Sequence, residues 1–499
     1  MGCTAVTTHV DVAAVRAERR TATHYRARMA QPEHHAAPLL VLGMNAAPFN
    51  VAKRMLVRST MLRHKSVLER SIIFRFVVGS FLVPKASRSA AKAEASQARW
   101  KADTDALASE IISLRDVVQI DAIDGPGVAM ECPAAEKTIQ WLRYALQTWP
   151  HAQYYGKTED DTFLNLDMLQ LELQRLSALR QPNILYGLFG ICSMPKPAIA
   201  ERAATGFKAC FLGSLERVGW ITGAYRSLVQ WRSGGGGGGP GSMGMQRKCV
   251  PGSAEPAPFP TGPLAILGAS LAESVFSRCA YLEHFLSRGR AANRRTLCRA
   301  RDKNSRVNAD WASLVGDCAL GHWVSQCSRR LNVTIAHMTY TKAHHYAIDA
   351  GGQGWVEPSN HSLAVHYLKK HTGPSGPSHT EGGEWAHVHR VTATATSPGF
   401  PPLLWRYKPG QVLRSGRLLD EPLNVDVHEH YARSCGIWHE PVSTHVQRLR
   451  QRVADCGSGG NPDSWPFFGC HPSRGYAHPT WPIASQSPGW AGCPSKAPE

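Results

Sequence analysis

Short apolar runs that end in glycine alternate along this chain with segments of helical periodicity. The runs are LLVLG at residues 39–43, SIIFRFVVG at 71–79 and ILYGLFG at 184–190. Runs of this length, rich in branched and aromatic side chains, are typical of strands buried inside a sheet. Because helical segments separate them, the pattern predicts an α/β fold.

Composition divides the chain into a folded domain and two irregular ends. Residues 1–36 show no apolar periodicity and are expected to be a disordered leader, whereas residues 37–371 are expected to fold. Six consecutive glycines predict a flexible loop inserted into the domain at about 232–258. Proline, glycine, serine, histidine and tryptophan dominate residues 372–499, which predicts an irregular, largely disordered tail.

One stretch inside the domain lacks the alternation. Residues 84–104 are rich in alanine, lysine and serine and are expected to form a surface excursion. Leu107, Ile111 and Leu114 then mark a helix, which leads into a predicted strand at residues 116–121.

An acidic triplet, Glu159-Asp160-Asp161, follows a predicted strand at residues 153–157. In open α/β sheets, ligands bind outside the carboxyl ends of the strands. Three adjacent carboxylates repel one another, and a shared hard cation such as Mg²⁺ or Mn²⁺ most easily reconciles their anionic forms. Such a cation would hold a diphosphate. The alternative is a solvated acidic turn that caps the helix beginning near Leu166.

Several other segments accompany the triplet. They include VAKRMLVRSTM at residues 51–61, KTEDDTFLN around the triplet at 157–165, GDCALG at 316–321 and LAVH at 363–366. In residues and in order they resemble glycosyltransferase family 31, which comprises β-1,3-galactosyl- and N-acetylglucosaminyltransferases and fringe-type enzymes. The resemblance covers about residues 38–371, and the segment around the triplet is its most specific part.

The chain departs from the pattern of this family at four positions. Glu159 replaces the usual first Asp of the triplet, and Met61 stands where a Trp is usual. In the proline and glycine loop at residues 259–268 the usual Tyr is missing and Ala265 falls near its position, while Gly316 replaces an acid. The departures at Met61, Ala265 and Gly316 motivate an alternative hypothesis, a catalytically inactive relative that still binds a nucleotide-sugar or a glycan.

The resemblance implies a fold and a reaction. The fold is GT-A, a Rossmann-like α/β domain, and the donor is a UDP-sugar used with Mn²⁺ or Mg²⁺. The enzyme would be an inverting hexosyltransferase that moves galactose or an N-acetylhexosamine to a hydroxyl of a glycan or glycoprotein acceptor, in a β-1,3 linkage.

The resemblance also implies roles for individual residues. Asp160, Asp161 and His366 would bind the cation, with Glu159 as a secondary contributor and Glu159 and Asp160 near the donor. Asp317 would be the base that takes the proton of the acceptor hydroxyl. Two alternatives stay open: Asp317 as an ordinary helix N-cap, and His366 as a structural or surface histidine.

Two arginines in the first of these segments are candidates for contact with the donor. A helix is expected from about Asn50, and Arg54 and Arg58 lie four residues apart along it. Because a guanidinium offers a planar fork of donors, both arginines are expected to contact the nucleotide or its phosphates. The alternative is that they form a solvated helix face.

The basic charge of the chain is also compatible with a nucleic acid as its partner. The formal net charge is +18 and the isoelectric point is near 9.5, so phosphate-bearing partners are attracted. However, the sequence has neither an aromatic-interleaved RNA-binding signature nor the spacing of a zinc finger. A nucleic-acid-binding protein is therefore the third hypothesis, and strongly salt-dependent binding with indifference to UDP would identify it.

The resemblance implies action in the Golgi lumen with membrane association. In the printed sequence we find no run of 18 apolar residues and no signal-peptide pattern. Thirteen cysteines are present without a C-x-x-C pair, so neither a zinc site nor a redox motif is indicated.

Overall fold

A computed structural model describes residues 37–81, 90–124, 131–193, 210–214, 257–291, 316–338, 342–345, 360–366, 368, 383–394, 401–409, 423–424 and 427. The expected leader and the glycine run lie outside these residues. Within the described part of the chain, no helix is long and apolar enough to cross a membrane.

Strands and helices alternate through the first half of the described chain. The strands are β1 (Leu40–Asn45), β2 (Ile72–Phe81), β3 (Val117–Asp124), β4 (Tyr154–Glu159), β5 (Phe163–Leu164), β6 (Ile184–Ser193), β7 (Cys210–Ser214), β8 (Ala257–Gly268), β9 (Val333–His337), β10 (Ala343–His345), β11 (Ala364–His366) and β12 (Leu403–Tyr407). The helices are α1 (Val51–Ser59), α2 (Lys65–Leu68), α3 (Ala90–Leu114), α4 (Glu131–Thr148), α5 (Leu166–Ala178), α6 (Ala269–Phe276), α7 (Ala280–Ala291), α8 (Gly316–Cys327) and α9 (Gly383–Thr392).

The main sheet is mixed and has the order β12-β9-β6-β8-β4-β1-β2-β3, with β7 paired to β6. The four strands β4, β1, β2 and β3 are parallel, as are β6 and β9. Strand β8 lies antiparallel between β4 and β6. This Rossmann-like arrangement of a sheet between helices confirms the α/β fold.

The sheet separates two hydrophobic clusters. On β1, Val41 belongs to one cluster, whereas Leu40 and Leu42 belong to the other. Both faces of this strand are therefore buried, which explains why its sequence is a continuous apolar run. Gly43 continues the strand without a side chain because a Cβ there would lie 2.3 Å from Cε2 of the buried Trp141.

A second, small sheet brings distant parts of the chain together. It has the order β10-β11-β5, and β11 pairs antiparallel with β5 through Val365↔Phe163. Strand β5 comes directly after the acidic triplet, whereas β11 ends at His366. The pairing therefore carries His366 to the triplet.

The predicted surface excursion at residues 84–104 is corrected by the structure. Helix α3 begins at Ala90 and continues to Leu114, so most of this stretch is helical. Alanine, lysine and glutamate favour the helix without needing an apolar face, and such a helix shows little hydrophobic periodicity. The helix marked by Leu107 and Leu114 is confirmed as its last turns.

Regular structure also continues beyond residue 371, where an irregular tail was expected. Strand β12 pairs antiparallel with β9 and forms one edge of the main sheet. On α9, Trp385 packs its ring against that of Phe163, with centroids 5.8 Å apart. Both elements are short and depend on these tertiary contacts, so their own sequences show no clear periodicity.

Candidate functional site

The acidic triplet lies at the carboxyl end of a central parallel strand. Glu159 is the last residue of β4 and aligns with Asn45, the last residue of β1. The chain then turns sharply, because the backbone N–H of Thr162 donates to the carbonyl of Glu159 at 3.0 Å. This is the sheet edge at which ligands were expected.

Two carboxylates and an imidazole converge beyond this edge. Ligand atoms of Glu159, Asp161 and His366 all lie within 4.8 Å of one another. Nε2 of His366 lies 3.2 Å from Oδ1 of Asp161. The backbone N–H of Leu368 donates to the carbonyl of Asp161 at 2.9 Å, which fastens the segment after β11 to the triplet.

Asp160 was expected in this cluster, but the structure places Glu159 there with Asp161 and His366. Oδ2 of Asp160 accepts a hydrogen bond from the side-chain amide of Asn50 at 3.2 Å, and Lys53 lies 3.7 Å from its other oxygen. Asp160 therefore faces the start of α1, whereas Glu159 completes the cluster with Asp161 and His366.

Lys157 contacts carboxylates on both sides of the candidate site, although no role was expected of it from the sequence. It is 2% exposed, and its Nζ donates to Oδ1 of Asp317 at 2.6 Å and to Oε1 of Glu159 at 3.3 Å. Burial opposes its charge, but Asp317 and Glu159 outweigh burial and raise the pKa of Lys157. A lysine that follows two tyrosines and a glycine in β4, just before the acidic triplet, was the available signal.

The pKa of Glu159 lies above its ordinary value. Burial is the main cause and raises the pKa of Glu159, and the negative charge of Asp317 acts in the same direction. The ammonium of Lys157 acts against them without cancelling them. A carboxyl in this position gains from a nearby cation, because the cation stabilises its anionic form.

Asp317 lies in the first turn of α8, near the convergent ligands. Both sides of the site border Gly262 of β8: a Cβ there would lie 2.8 Å from Cε1 of His366 and 3.6 Å from Oδ2 of Asp317. The far end of α8 is held by a disulfide between Cys279 and Cys327. Asp317 is thus ion-paired within the site, and its position beside His366 depends on a residue without a side chain.

The structure gives Arg54 and Arg58 a different setting from the expected nucleotide contact. Both are buried, and the guanidinium of Arg54 donates to Oε1 and Oε2 of Glu110 at 2.9 and 2.6 Å. Arg58 donates to both carboxylate oxygens of Asp116 at 2.8 and 2.7 Å. Neither the expected donor contact nor a solvated face describes them. They form a buried ion-pair network that joins α1 to α3 and β3.

The donor set of the cluster fits the implied cation. Carboxylate oxygens suit Mg²⁺ and Mn²⁺, while imidazole nitrogen suits transition metals, and Mn²⁺ accepts both. Glu159, Asp161 and His366 supply two carboxylates and one imidazole within one small space. These three residues are therefore the ones that would hold it.

A sequence match to a known family includes the triplet. Residues 52–196 match the family model described as Galactosyltransferase. This segment belongs to the galactosyltransferase family. The galactosyltransferase segment contains Lys157 and the acidic triplet, whereas Asp317 and His366 lie beyond it in the chain. The resemblance to glycosyltransferase family 31 is thereby confirmed.

Comparison with solved structures found distant similarity. The galactosyltransferase LgtC, in complex with donor and acceptor sugar analogues, has a TM-score of 0.28 and 9% identity over 72% of this chain and 96% of its own. Mouse xyloside xylosyltransferase 1 has a TM-score of 0.26 and 11% identity over 66% and 97%. Core-mannan synthase A from Aspergillus fumigatus, in its Mn/GDP form, has a TM-score of 0.24 and 12% identity over 59% and 74%. TM-scores this low establish neither fold nor activity. No curated protein matches the chain in sequence.

Proposed function

We propose that this protein is an inverting hexosyltransferase that moves galactose or an N-acetylhexosamine from a UDP-sugar to a hydroxyl of a glycan or glycoprotein, in a β-1,3 linkage. One observation carries the proposal. The carboxylate of Asp317 faces Gly262 on the same side as the imidazole of His366, so a base lies beside the cluster of Glu159, Asp161 and His366. A transferase of this kind needs a cation site and a base next to each other.

The cluster would bind the cation that accompanies the donor. Asp161 and His366, with Glu159, would hold Mn²⁺ or Mg²⁺. When bound, the cation stabilises the negative charge that gathers on the departing diphosphate. Asp160 would act from the rim of the site, where Asn50 orients its carboxylate.

Asp317 would act on the acceptor. Its carboxylate takes the proton of the acceptor hydroxyl as that oxygen attacks the anomeric carbon. Attack from the face opposite the diphosphate inverts the configuration at this carbon. Asp317 suits this task because it lies on α8 with its Oδ2 near the space beside Gly262 that Cε1 of His366 also borders.

The alternative of a catalytically inactive relative loses part of its motivation in the structure. Met61 is fully buried among apolar residues, so its replacement of a Trp is a matter of core packing. Ala265 is also fully buried, within β8 opposite Lys157. Metal-dependent UDP binding without turnover of any donor would nevertheless identify such a relative, and salt-dependent binding of RNA or DNA with indifference to UDP would identify the third hypothesis.

The Golgi lumen is the proposed site of action. The Cys279–Cys327 disulfide supports an oxidising compartment, since such bonds persist in secretory lumens and are rare in the cytosol. Peptide mapping of the native protein without reduction should recover these two cysteines in one linked pair of peptides. Recovery of both as free thiols would argue against a lumenal location.

The experiment that tests the proposed function is a donor and product analysis. UDP-galactose, UDP-N-acetylgalactosamine and UDP-N-acetylglucosamine are each supplied with Mn²⁺ and a panel of β-linked acceptors, and UDP release is measured. The product of the best pair is analysed by NMR, where a β-anomeric, 3-linked sugar is expected. An α-linked product would refute inversion, and absence of release from every donor would refute the transferase.

A further inference from the structure

Lys157 is a charged side chain held inside the main sheet. It is 2% exposed, and β4 lies between β1 and β8. An ammonium in such a place is stable only if carboxylates compensate its lost hydration. Glu159 and Asp317 provide that compensation, and the contact with Asp317 is the shorter of the two.

The two partners of Lys157 belong to the two sides of the site. Glu159 is part of the cation cluster, and its Oε1 accepts from Nζ at 3.3 Å. Asp317 is the base, and its Oδ1 accepts from Nζ at 2.6 Å. The shorter contact occupies one oxygen of Asp317. The other oxygen, Oδ2, is the one that lies 3.6 Å from a Cβ placed on Gly262.

We propose that Lys157 is a positioning residue: it holds Asp317 by Oδ1 and so leaves Oδ2 to receive the proton of the acceptor hydroxyl. In that step the O–H bond breaks, the proton passes to Oδ2, and the oxygen bonds to the anomeric carbon. The bond from this carbon to the diphosphate breaks, and its electron pair leaves with UDP. Lys157 keeps its proton and touches none of the reacting atoms. This inference rests on the proposed transferase function.

Two variants test the role through kinetics. In Lys157→Met, kcat should fall about 100-fold, the effect of misplacing a reacting group by about 1 Å, whereas KM and UDP affinity in Mn²⁺ should change less than about threefold. Lys157→Arg keeps a cation and should recover much of kcat. The matched control is Lys342→Met, because Lys342 is as deeply buried and pairs with Glu172 at 2.5 Å. The control should lower Tm without this loss of kcat.

Several results would overturn the proposal. If Lys157→Met turned over donor at the wild-type rate, Lys157 would not position the base. If Lys342→Met had the same Tm as Lys157→Met and lost as much kcat, the loss would come from destabilisation alone. A loss of UDP affinity in proportion to kcat would make Lys157 a phosphate ligand instead. A crystal structure of Lys157→Met adds a test that needs no activity: Asp317 should change its side-chain rotamer, and an unmoved carboxylate contradicts the proposal. If wild-type protein turns over no donor, the proposed function fails, while this structure still decides the role of Lys157.

Discussion

Nε2 of His366 lies 3.2 Å from Oδ1 of Asp161, although His366 ends β11 and Asp161 lies far earlier in the chain, in the turn between β4 and β5. The antiparallel pairing of β11 with β5 creates this proximity, and Leu368 fastens it through the carbonyl of Asp161. A carboxylate and an imidazole held in this way would form one side of a cation site, to which Glu159 would add a second carboxylate.

Removal of the imidazole should weaken cation binding. We expect His366→Ala to reduce Mn²⁺ affinity about 100-fold, since even residues that only support a metal ligand contribute 10- to 100-fold. Isothermal titration with Mn²⁺ and UDP measures this. His151→Ala is the control, because His151 is exposed in the turn before β4. Equal affinities in the two variants would remove His366 from the site.

The correction within the triplet gives a paired prediction. Glu159→Gln should weaken Mn²⁺ binding at least about tenfold, because it removes a charged ligand from the cluster. Asp160→Asn should leave Mn²⁺ affinity nearly unchanged, since Asp160 contacts Asn50 and Lys53 instead. Electron paramagnetic resonance of free Mn²⁺ reports both affinities. The opposite order of effects would restore Asp160 to the cluster.

The absence of a side chain at position 262 should be essential for turnover. In Gly262→Ala the new Cβ would lie 2.8 Å from Cε1 of His366, so the imidazole or β8 must shift. We expect kcat/KM to fall about 100-fold, as for other small misplacements of reacting groups. The contact involves a side chain at the sheet edge, so Tm should change little. Full activity in this variant would show that the site tolerates the shift.

The buried arginine network should make the fold sensitive to acid. Burial opposes the charge of Glu110, but Arg54 and Arg58 outweigh it and hold the pKa of Glu110 below its ordinary value of 4.5. A depressed folded pKa stabilises the protein above the unfolded pKa, and this contribution is lost as pH falls below about 4.5. The free energy of unfolding in urea is measured between about pH 3.5 and 6, a range that brackets this pKa. It should fall with pH in the wild type and depend less on pH in Glu110→Gln. Equal slopes would assign acid sensitivity to other carboxylates.

The parts of the fold that depend on local pattern could be predicted from the sequence. The apolar runs at residues 39–43 and 71–79 became β1 and β2, because strands buried on both faces need continuous apolar sequence. The acidic triplet was expected at a strand end for the same reason. By contrast, the family resemblance implied a proline and glycine loop at residues 259–268. They lie in β8, whose pairing shows an irregularity against β6 between Gly187 and Phe189.

The contacts between distant residues could not be predicted. Arg54 and Arg58 were expected at a ligand or in solvent, since nothing in α1 indicates that Glu110 and Asp116 lie against it. The pairing of Lys157 with Asp317 depends on how α8 packs over β8, which is a property of the assembled sheet. Which carboxylate of the triplet meets His366 depends on side-chain direction at the last residue of a strand.

The proposed function requires that Asp317 on α8 acts as a base beside a cation site formed by Glu159, Asp161 and His366. The most direct test compares Asp317→Asn with wild type for UDP release from the best donor and for UDP binding with Mn²⁺. We expect Asp317→Asn to keep UDP affinity within about threefold of the wild type and to lose turnover by about 1000-fold, the range of a missing general base. Turnover close to that of the wild type in Asp317→Asn would show that Asp317 is not the base.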